Sequence, residues 1–398
     1  MSDDARTLGP LHGVRVVDAS RMIPGAVLAR GLAALGAEVI KLEDPRGGDP
    51  MRAMAPLRGG IGVGFALYYA GCKSVVARLG TPAGNAALEA LVADTDVFVE
   101  SFRAGTLARW GLAPETLRAR HPRLVTVSLP GFPTEGTAAD AVAHDLNALA
   151  RTGLLERLGE CADVPRVQLA DVTCGLLAQS AVLAALLERV RTGVGRHHEQ
   201  PLCSGALPHL TWPWSDAAAS GAIGASEHLI GGRRPAYAIY RCQDGRRVAV
   251  GCLEPKFWVQ LCALMGLPEH ADAGLRDDDD GKAARAAIAA RFADASAQTW
   301  AHRCAAQGLP VDVVAEVAEL ARPQATHTEL APRSWLGPLI GQIPMPDGGA
   351  ITVPSQALGA LERAPVGAAP RLGEHTRALL LACGATEATI CECLAPQA

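Results

Sequence analysis

Aromatic side chains make up only 4% of this 398-residue chain, with six Trp, four Tyr and six Phe. So thin a supply argues against a surface of stacking platforms for single-stranded nucleic acid. A basic excess is missing as well. Thirty-seven Lys and Arg stand against 41 Asp and Glu, for a formal net charge of −4. Phosphate backbones are bound chiefly by cations, so no nucleic-acid partner is expected. No apolar run reads as long enough to span a bilayer. The polar, acidic start Met1-Ser2-Asp3-Asp4-Ala5-Arg6 has neither the basic nor the apolar region of a signal peptide. The expectation is a cytoplasmic protein with no membrane partner. The 11 Cys form no framework and read as reduced thiols. Cys391 and Cys393 read as a loose tail, because a zinc site would want two more ligands at suitable spacing. No metal is expected. The Gly-x-Ser-x-Gly elbow of serine hydrolases is also missing.

What is present points to an α/β protein in two domains. Apolar residues are 49% and charged residues 20%, the balance of a soluble globular chain. A length of 398 residues exceeds one compact core. The first 130 residues alternate strand and helix. Val14–Asp18, Glu38–Glu43, Ser74–Leu79, Val97–Glu100 and Leu124–Ser128 read as strands. Pro24–Leu35, ended by Gly36, and a helix capped by Thr81 lie between them. This alternation predicts a Rossmann-like parallel sheet with helices on both faces and ligands beyond the carboxyl ends of its strands. A helix is read over Leu146–Leu158 with Asp145 as its N-cap, and a longer one from about Val172 to Val190. The frequent Pro, Trp and Gly at 208–233 suggest a crossover. Asp244-Gly245 between two apolar runs marks a hairpin. Helices follow at 255–265, about 283–293 and 298–307. The acidic run Asp277–Asp280 reads as a solvated loop. The domain expectation is a large domain beginning with 1–205, a crossover at 206–224, a small α+β domain at 225–330, and a return to the large domain at 331–398.

Few residues offer chemistry. His144 and Asp145 sit at the mouth of a helix, where backbone N–H donors and the positive dipole end suit an enolate oxygen. A His there can take a proton at neutral pH. The residues alone read more simply as a surface His beside a capping Asp. Asp171, read as preceding the long helix, could be a cap or a base. To be a good base it would need something to oppose the charge-stabilising helix end. Glu254, before Pro255, looks by itself like a helix-start acid. Gly60-Ile61-Gly62-Val63-Gly64 lacks the spacing of a dinucleotide loop. His197-His198-Glu199 with His209 lacks the zinc-protease spacing and reads as a polar loop.

The chain as a whole resembles the family III CoA-transferases, a superfamily that includes alpha-methylacyl-CoA racemase. The resemblance is carried by Gly9-Pro10-Leu11-His12-Gly13-Val14-Arg15-Val16-Val17-Asp18, then by Leu35-Gly36-Ala37-Glu38-Val39-Ile40-Lys41-Leu42-Glu43 and Gly48-Asp49-Pro50. Val99-Glu100-Ser101-Phe102-Arg103-Ala104-Gly105 with Leu107-Ala108-Arg109-Trp110-Gly111-Leu112 is similar to the family's CoA-contacting loop. Leu372-Gly373-Glu374-His375-Thr376 matches a closing motif. Transferases of this kind carry Gly-Tyr-Asp at the active loop, whereas Ala143-His144-Asp145-Leu146-Asn147 is similar to the racemase branch. The Gly-Gln-x-Val-Asp that usually follows the long helix reads Gly195-Arg196-His197-His198-Glu199.

That resemblance implies an acyl-CoA racemase or epimerase working through an enolate. His144 and Asp171 would be its two acid/bases, Glu254 would orient the imidazole, and the Asp145 backbone N–H would face the oxyanion. The alternative it implies is a CoA-transferase with Asp145 as nucleophile. Arg103 and Arg109 would meet the CoA phosphates, with Lys73 and the Leu67–Tyr69 strip near the adenine and Ile23 also at the cofactor. The family fold further implies an interlocked homodimer. Coenzyme A would enter only as part of the acyl-CoA substrate, with no other cofactor.

Overall fold

The computed structural model describes residues 9–139, 141–159, 164–221, 230–321, 339–356, 362, 365 and 367–395. The chain divides into two compact units, Met1–Pro208 with Pro323–Ala398, and His209–Arg322. The domain boundaries expected at 224/225 and 330/331 lie outside the described residues.

The first unit is a doubly wound α/β layer. Its strands are β1 (Arg15–Asp18), β2 (Glu38–Glu43), β3 (Lys73–Val76), β4 (Val97–Glu100), β5 (Val125–Ser128) and β6 (His197–Glu199). All neighbours pair in parallel, in the spatial order β3-β2-β1-β4-β5-β6. The order reverses between β1 and β4, and such a switch point opens a crevice at the carboxyl edge. The strands are apolar runs because both faces are covered: Val16, Val17, Val75, Val97, Phe98 and Val125 are all fully buried. The last strand is a correction. His197-His198-Glu199 is no polar loop but an edge strand in register with Thr126-Val127-Ser128. Alternating polar side chains fit an edge, and His197 finds Thr126 Oγ1 at 3.0 Å.

The helices follow their caps. Helix α1 (Ile23–Ala34) enters through Pro24 and ends before Gly36, which takes φ +95°. The short α2 (Val63–Tyr69) and α3 (Pro82–Val92) follow, α3 with Thr81 accepting from Gly84 N–H at 3.1 Å. The helix expected over 146–158 is two pieces. α4 (Asp145–Thr152) stops at Gly153, whose φ of +84° turns the chain before a short helical turn at Leu154–Arg157. α5 runs from Leu169 to Thr192, earlier at its start than periodicity indicated. It overturns the expectation that no apolar run is long enough for a bilayer, since its length and composition would suffice. One face of it, with Cys174, Ala178 and Val182, packs closely in the unit's core. A methyl on Gly175 would meet Pro24 O at 2.5 Å, and one on Gly31 would meet the Gln179 side chain at 2.2 Å. Glycines therefore let α1 and α5 approach almost backbone to backbone.

The carboxy-terminal part also belongs to the first unit. A hairpin of Ile340–Pro344 and Ala350–Pro354, which the sequence did not announce, packs Ile343 and Val353 on Ala70. The closing motif then seals the outer edge of the sheet. Ser74 N–H donates to His375 Nδ1 at 3.2 Å, His375 N–H to Ser74 O at 2.9 Å, and Val76 N–H to Thr376 Oγ1 at 3.0 Å. An otherwise open strand edge is thus paired by side chains. Thr376→Val keeps the shape but strands the buried Val76 N–H. We expect a loss of about 1–3 kcal/mol in denaturant unfolding, and a change within error would show that Thr376 is dispensable. Cys391 and Cys393 are not a loose tail. They lie on the helix Glu387–Leu394, with Cys393 in the core beside Leu88 and Leu91. The described cysteines are free thiols.

The second unit is smaller. The crossover region contains a helix, Thr211–Ser220, rather than only turns. The three-stranded antiparallel sheet is β7 (Tyr237–Arg241), β8 (Arg247–Gly251) and β9 (Val311–Val313), ordered β9-β8-β7. Gly245 makes the β7–β8 turn at φ +77°. Helices α6 (Pro255–Met265), α7 (Asp279–Phe292) and α8 (Ala297–Ala305) supply Trp258, Ile288, Phe292 and Trp300 to its core. The acidic run is not a solvated loop. Asp278 caps α7 by accepting from Gly281 N–H at 3.1 Å, and Asp279 and Asp280 form the first turn.

Candidate active site

The first unit brings His144, Asp145 and Asp171 together at the carboxyl edge of its sheet. After β5 the chain passes Pro130 and Gly131, returns through Ala143 and enters α4. A methyl on Gly131 would lie 3.0 Å from Ala143 Cβ, so the glycine lets the two arms of this loop touch. The N-cap of α4 is His144, not Asp145 as expected. Its N–H donates to Asn147 Oδ1 at 3.1 Å, which fixes the start of the helix from the far side of the first turn. His144 is exposed. Asp145 is the first helical residue, so no intrahelical carbonyl reaches its N–H.

The side chain of Asp145 does something the sequence did not suggest. Its Oδ1 accepts the backbone N–H of Asp171 at 3.0 Å, tying the starts of α4 and α5 together. Asp171 does not precede α5 but stands third in it, in the first turn. That turn is held closely. A methyl on Gly205 would fall 2.1 Å from Ala170 O, so the segment Leu202–Gly205 lies flat against it.

Asp171 is the electrostatic outlier of the site. Burial pushes its carboxyl up from 3.8, and the nearby Asp145 charge pushes the same way, to about 7. These two effects are the opposing terms that a helix start alone would not supply. Tyr68, on α2, lies within electrostatic range of both Asp171 and Arg30. Burial raises its phenol, Arg30 lowers it and Asp171 raises it. Arg30 is anchored by Nη2 donating to Pro354 O at 2.7 Å. Cys174, one turn along α5, faces the carbonyls of Gln200 and Pro201, and burial pushes its thiol up to about 12. A thiol so placed is not a nucleophile at neutral pH.

A second group of residues lines the cleft at the switch point between β1 and β4. Ser20 and Arg21 leave β1, while Phe102 and Trp110 stand edge to face across it with centroids 5.3 Å apart. Arg103 and Arg109 follow β4 and are exposed, with Arg109 Nη2 resting on Thr106 Oγ1 at 2.9 Å. Ile23, half-buried, opens α1 beside Met22, whose φ of +66° is rare for a side chain of that size. Met22 N–H donates to Asp49 Oδ2 at 3.3 Å. Asp49 in turn pairs with the buried Lys41, which also meets Asp18 at 3.2 Å. Burial works against the Lys41 ammonium, but Asp18, Asp49 and Glu43 overcome it and raise its pKa.

Other expected residues fall elsewhere. Lys73 begins β3 at the opposite, amino edge of the sheet and pairs with Glu38. Within the strip Leu67–Tyr69, Leu67 packs on Ala70, Ile343 and Val353, and Tyr69 donates from deep burial to Asp18 Oδ2 at 2.8 Å. Glu254 belongs to the second unit, where it is the exposed N-cap of α6. Sequence reasoning missed the Asp145–Asp171 bond, had Glu199 only in a polar loop, and had Tyr68 only as part of a strip near the adenine, not beside Asp171. Only the spacing of Tyr68 on α2 could have singled it out. No cluster of metal-ligating side chains occurs among the described residues.

The comparisons with known proteins agree with this geometry. The model of CoA-transferase family III matches residues 11–376. The chain belongs to CoA-transferase family III. Within that family it is similar to the succinate–glutarate CoA-transferase of Agrobacterium fabrum, at 36% identity over 51% of this chain and 53% of that protein. It is also similar to the human alpha-methylacyl-CoA racemase, at 30% identity over 73% of this chain and 74% of that one. The chain thus aligns to about half of the first relative and three quarters of the second. A CaiB/BaiF family protein from Brucella suis shares the fold, with a TM-score of 0.78 at 26% identity over 94% of this chain and 99% of that one. Family III includes both racemases and CoA-transferases, so membership sets the superfamily and leaves the reaction to the site.

Proposed function

We propose that the chain is an acyl-CoA racemase or epimerase that inverts the α-carbon of 2-methylacyl-CoA thioesters through an enolate. The observation that carries this reading is Asp171, a carboxyl raised to about 7 and bonded through its backbone to the residue after His144. A group titrating near neutrality both takes and returns a proton efficiently at physiological pH. The α-proton of a thioester is weakly acidic. Its removal leaves an electron pair that moves onto the carbonyl oxygen. The free N–H of Asp145 at the start of α4 suits that oxygen. Inversion then needs a proton from the opposite face. In this assignment His144 and Asp171 take those faces and exchange roles with direction.

Coenzyme A enters as part of the substrate, with no further cofactor. Its phosphates would meet Arg103 and Arg109 beside the switch-point cleft. Glu254 is assigned to orient the His144 imidazole across an interlocked homodimer. Its exposed position at a helix start leaves the carboxylate available for that part. The row Val172, Leu176, Leu187 and Val190, exposed along α5 from Asp171 onward, supports a partner surface there. The test is a panel of 2-methylacyl-CoA thioesters in heavy water. Deuterium entering the α-position is the expected result, and no exchange with any member would remove the proposal.

One observation favours a second reading, a CoA-transferase with Asp145 as nucleophile: the similarity to the succinate–glutarate CoA-transferase. Against it, one oxygen of Asp145 is already engaged by the Asp171 N–H. A covalent adduct on Asp145 during turnover with an acceptor acid would select this second reading.

A further inference from the structure

We propose that Glu199 is a positioning residue that clamps the loop delivering His144. Thr134, on that loop, donates its N–H to Glu199 Oε1 at 3.0 Å and its hydroxyl to Glu199 Oε2. Both carboxylate oxygens are therefore committed to one residue of the loop. The end of β6 and the turn after it make three more bonds, one to the end of β5 and two to the loop. Gln200 N–H donates to Ser128 O at 2.9 Å, Leu202 N–H to Pro130 O at 2.7 Å and Cys203 N–H to Gly131 O at 3.2 Å. Gly131 in turn touches Ala143, the residue before His144. On the far side, Phe132 lies under the Arg151 guanidinium of α4 at 4.6 Å. The clamp thus runs from β6 through Thr134 and Gly131 to the cap of α4.

The placement of Glu199 is not that of an ordinary edge-strand acid. It is half-buried and close to Glu100, whose carboxyl burial pushes up and the Glu199 charge pushes further. Ser128 and the Phe102 N–H, at 2.7 Å, hold Glu100. Two carboxylates at the ends of the strands that flank β5 repel each other, so this arrangement persists because each has its own donors. A neutral edge residue would serve β6 as well, and only the loop needs two acceptors here.

The effect on turnover rests on the proposed reaction, whereas the effect on the loop does not. Glu199→Gln keeps one acceptor oxygen and turns the other into a donor facing the Thr134 hydroxyl. Thr134→Val removes the donor from the other side. Each is expected to lower kcat for α-proton exchange by about 10- to 30-fold, because a displaced acid/base is costly, with KM changed less than about 2-fold. In a His144→Ala background the Glu199→Gln change should add less than about 2-fold, since its target is gone. Hydrogen exchange of amides 131–139 should quicken at least about 10-fold in both single variants. Unchanged exchange there in the folded variants would overturn the proposal whatever the reaction proves to be. So would a loss in kcat that multiplies with that of His144→Ala. Were no thioester turned over by the parent protein, faster amide exchange would still support the clamp and the failure would belong to the assigned reaction alone.

Discussion

Asp171→Asn is expected to abolish α-proton exchange at one face and to make the protein more stable above pH 7. The two effects have one cause. The folded site holds the carboxyl near 7, against 3.8 for a free group, through burial and the charge of Asp145. The folded chain therefore binds this proton more tightly than the unfolded chain does. As pH rises from about 4 to about 7 the unfolded state releases it first, and stability falls across that window. Above 7 the penalty is complete, and below 4 it is absent. One pKa unit is about 1.4 kcal/mol, and allowing for screening of a partly exposed side chain leaves roughly 2–3 kcal/mol at pH 8. Asparagine occupies the same space without the charge. Denaturant unfolding of the variant should show a gain that grows from pH 4 to pH 7 and is flat beyond. A variant no more stable than the parent at pH 8 would show that Asp171 is not held as an unwilling carboxylate. Activity that costs stability in this way is common at catalytic sites.

His144→Ala should produce the second large effect, a directional one. Racemisation needs a base on one face and an acid on the other, so losing either member should lower inversion by about 10³-fold. The remaining group still faces one side of the carbon. With His144 removed, one enantiomer of the thioester should continue to exchange its α-proton with solvent through Asp171, without inverting. With Asp171→Asn the opposite enantiomer should do so through His144. Separate incubations of the two enantiomers, followed by mass spectrometry and chiral analysis, distinguish the cases. Loss of exchange for both enantiomers in both variants would mean that the two residues do not serve opposite faces.

Most of the fold was legible because it rests on local signals. Apolar strands between capped helices foretold the parallel sheet, and β2 and β4 have the expected bounds. Thr81 starts its helix and Gly36 follows the end of its own, for the reasons their chemistry suggests. What failed depended on contacts distant in sequence. His197-His198-Glu199 is too polar to read as a strand, yet β5 supplies its pairing and Thr126 and Thr134 its side-chain partners. The start of α5 lay three residues earlier than Val172 because Gly205 and Asp145 hold its first turn. The hairpin at 340–354 carries little alternation and forms against Ala70. The chemistry divided in the same way. A His before an apolar helix was visible as a candidate, but which of His144 and Asp145 capped the helix was not. The raised carboxyl of Asp171 needs Asp145 at its backbone and burial in the folded unit, neither of which spacing reveals. Lys73, a cation in a familiar motif, starts a strand and so stands at the amino edge, where it pairs with Glu38.

The most direct measurement follows a single enantiomer of a 2-methylacyl-CoA thioester through its first turnover in heavy water. Proton transfer by His144 and Asp171 predicts the opposite enantiomer carrying one α-deuterium, with no CoA passed to an added carboxylic acid. The contradicting result is a product that keeps its α-proton and configuration while CoA moves to the added acid through an adduct on Asp145.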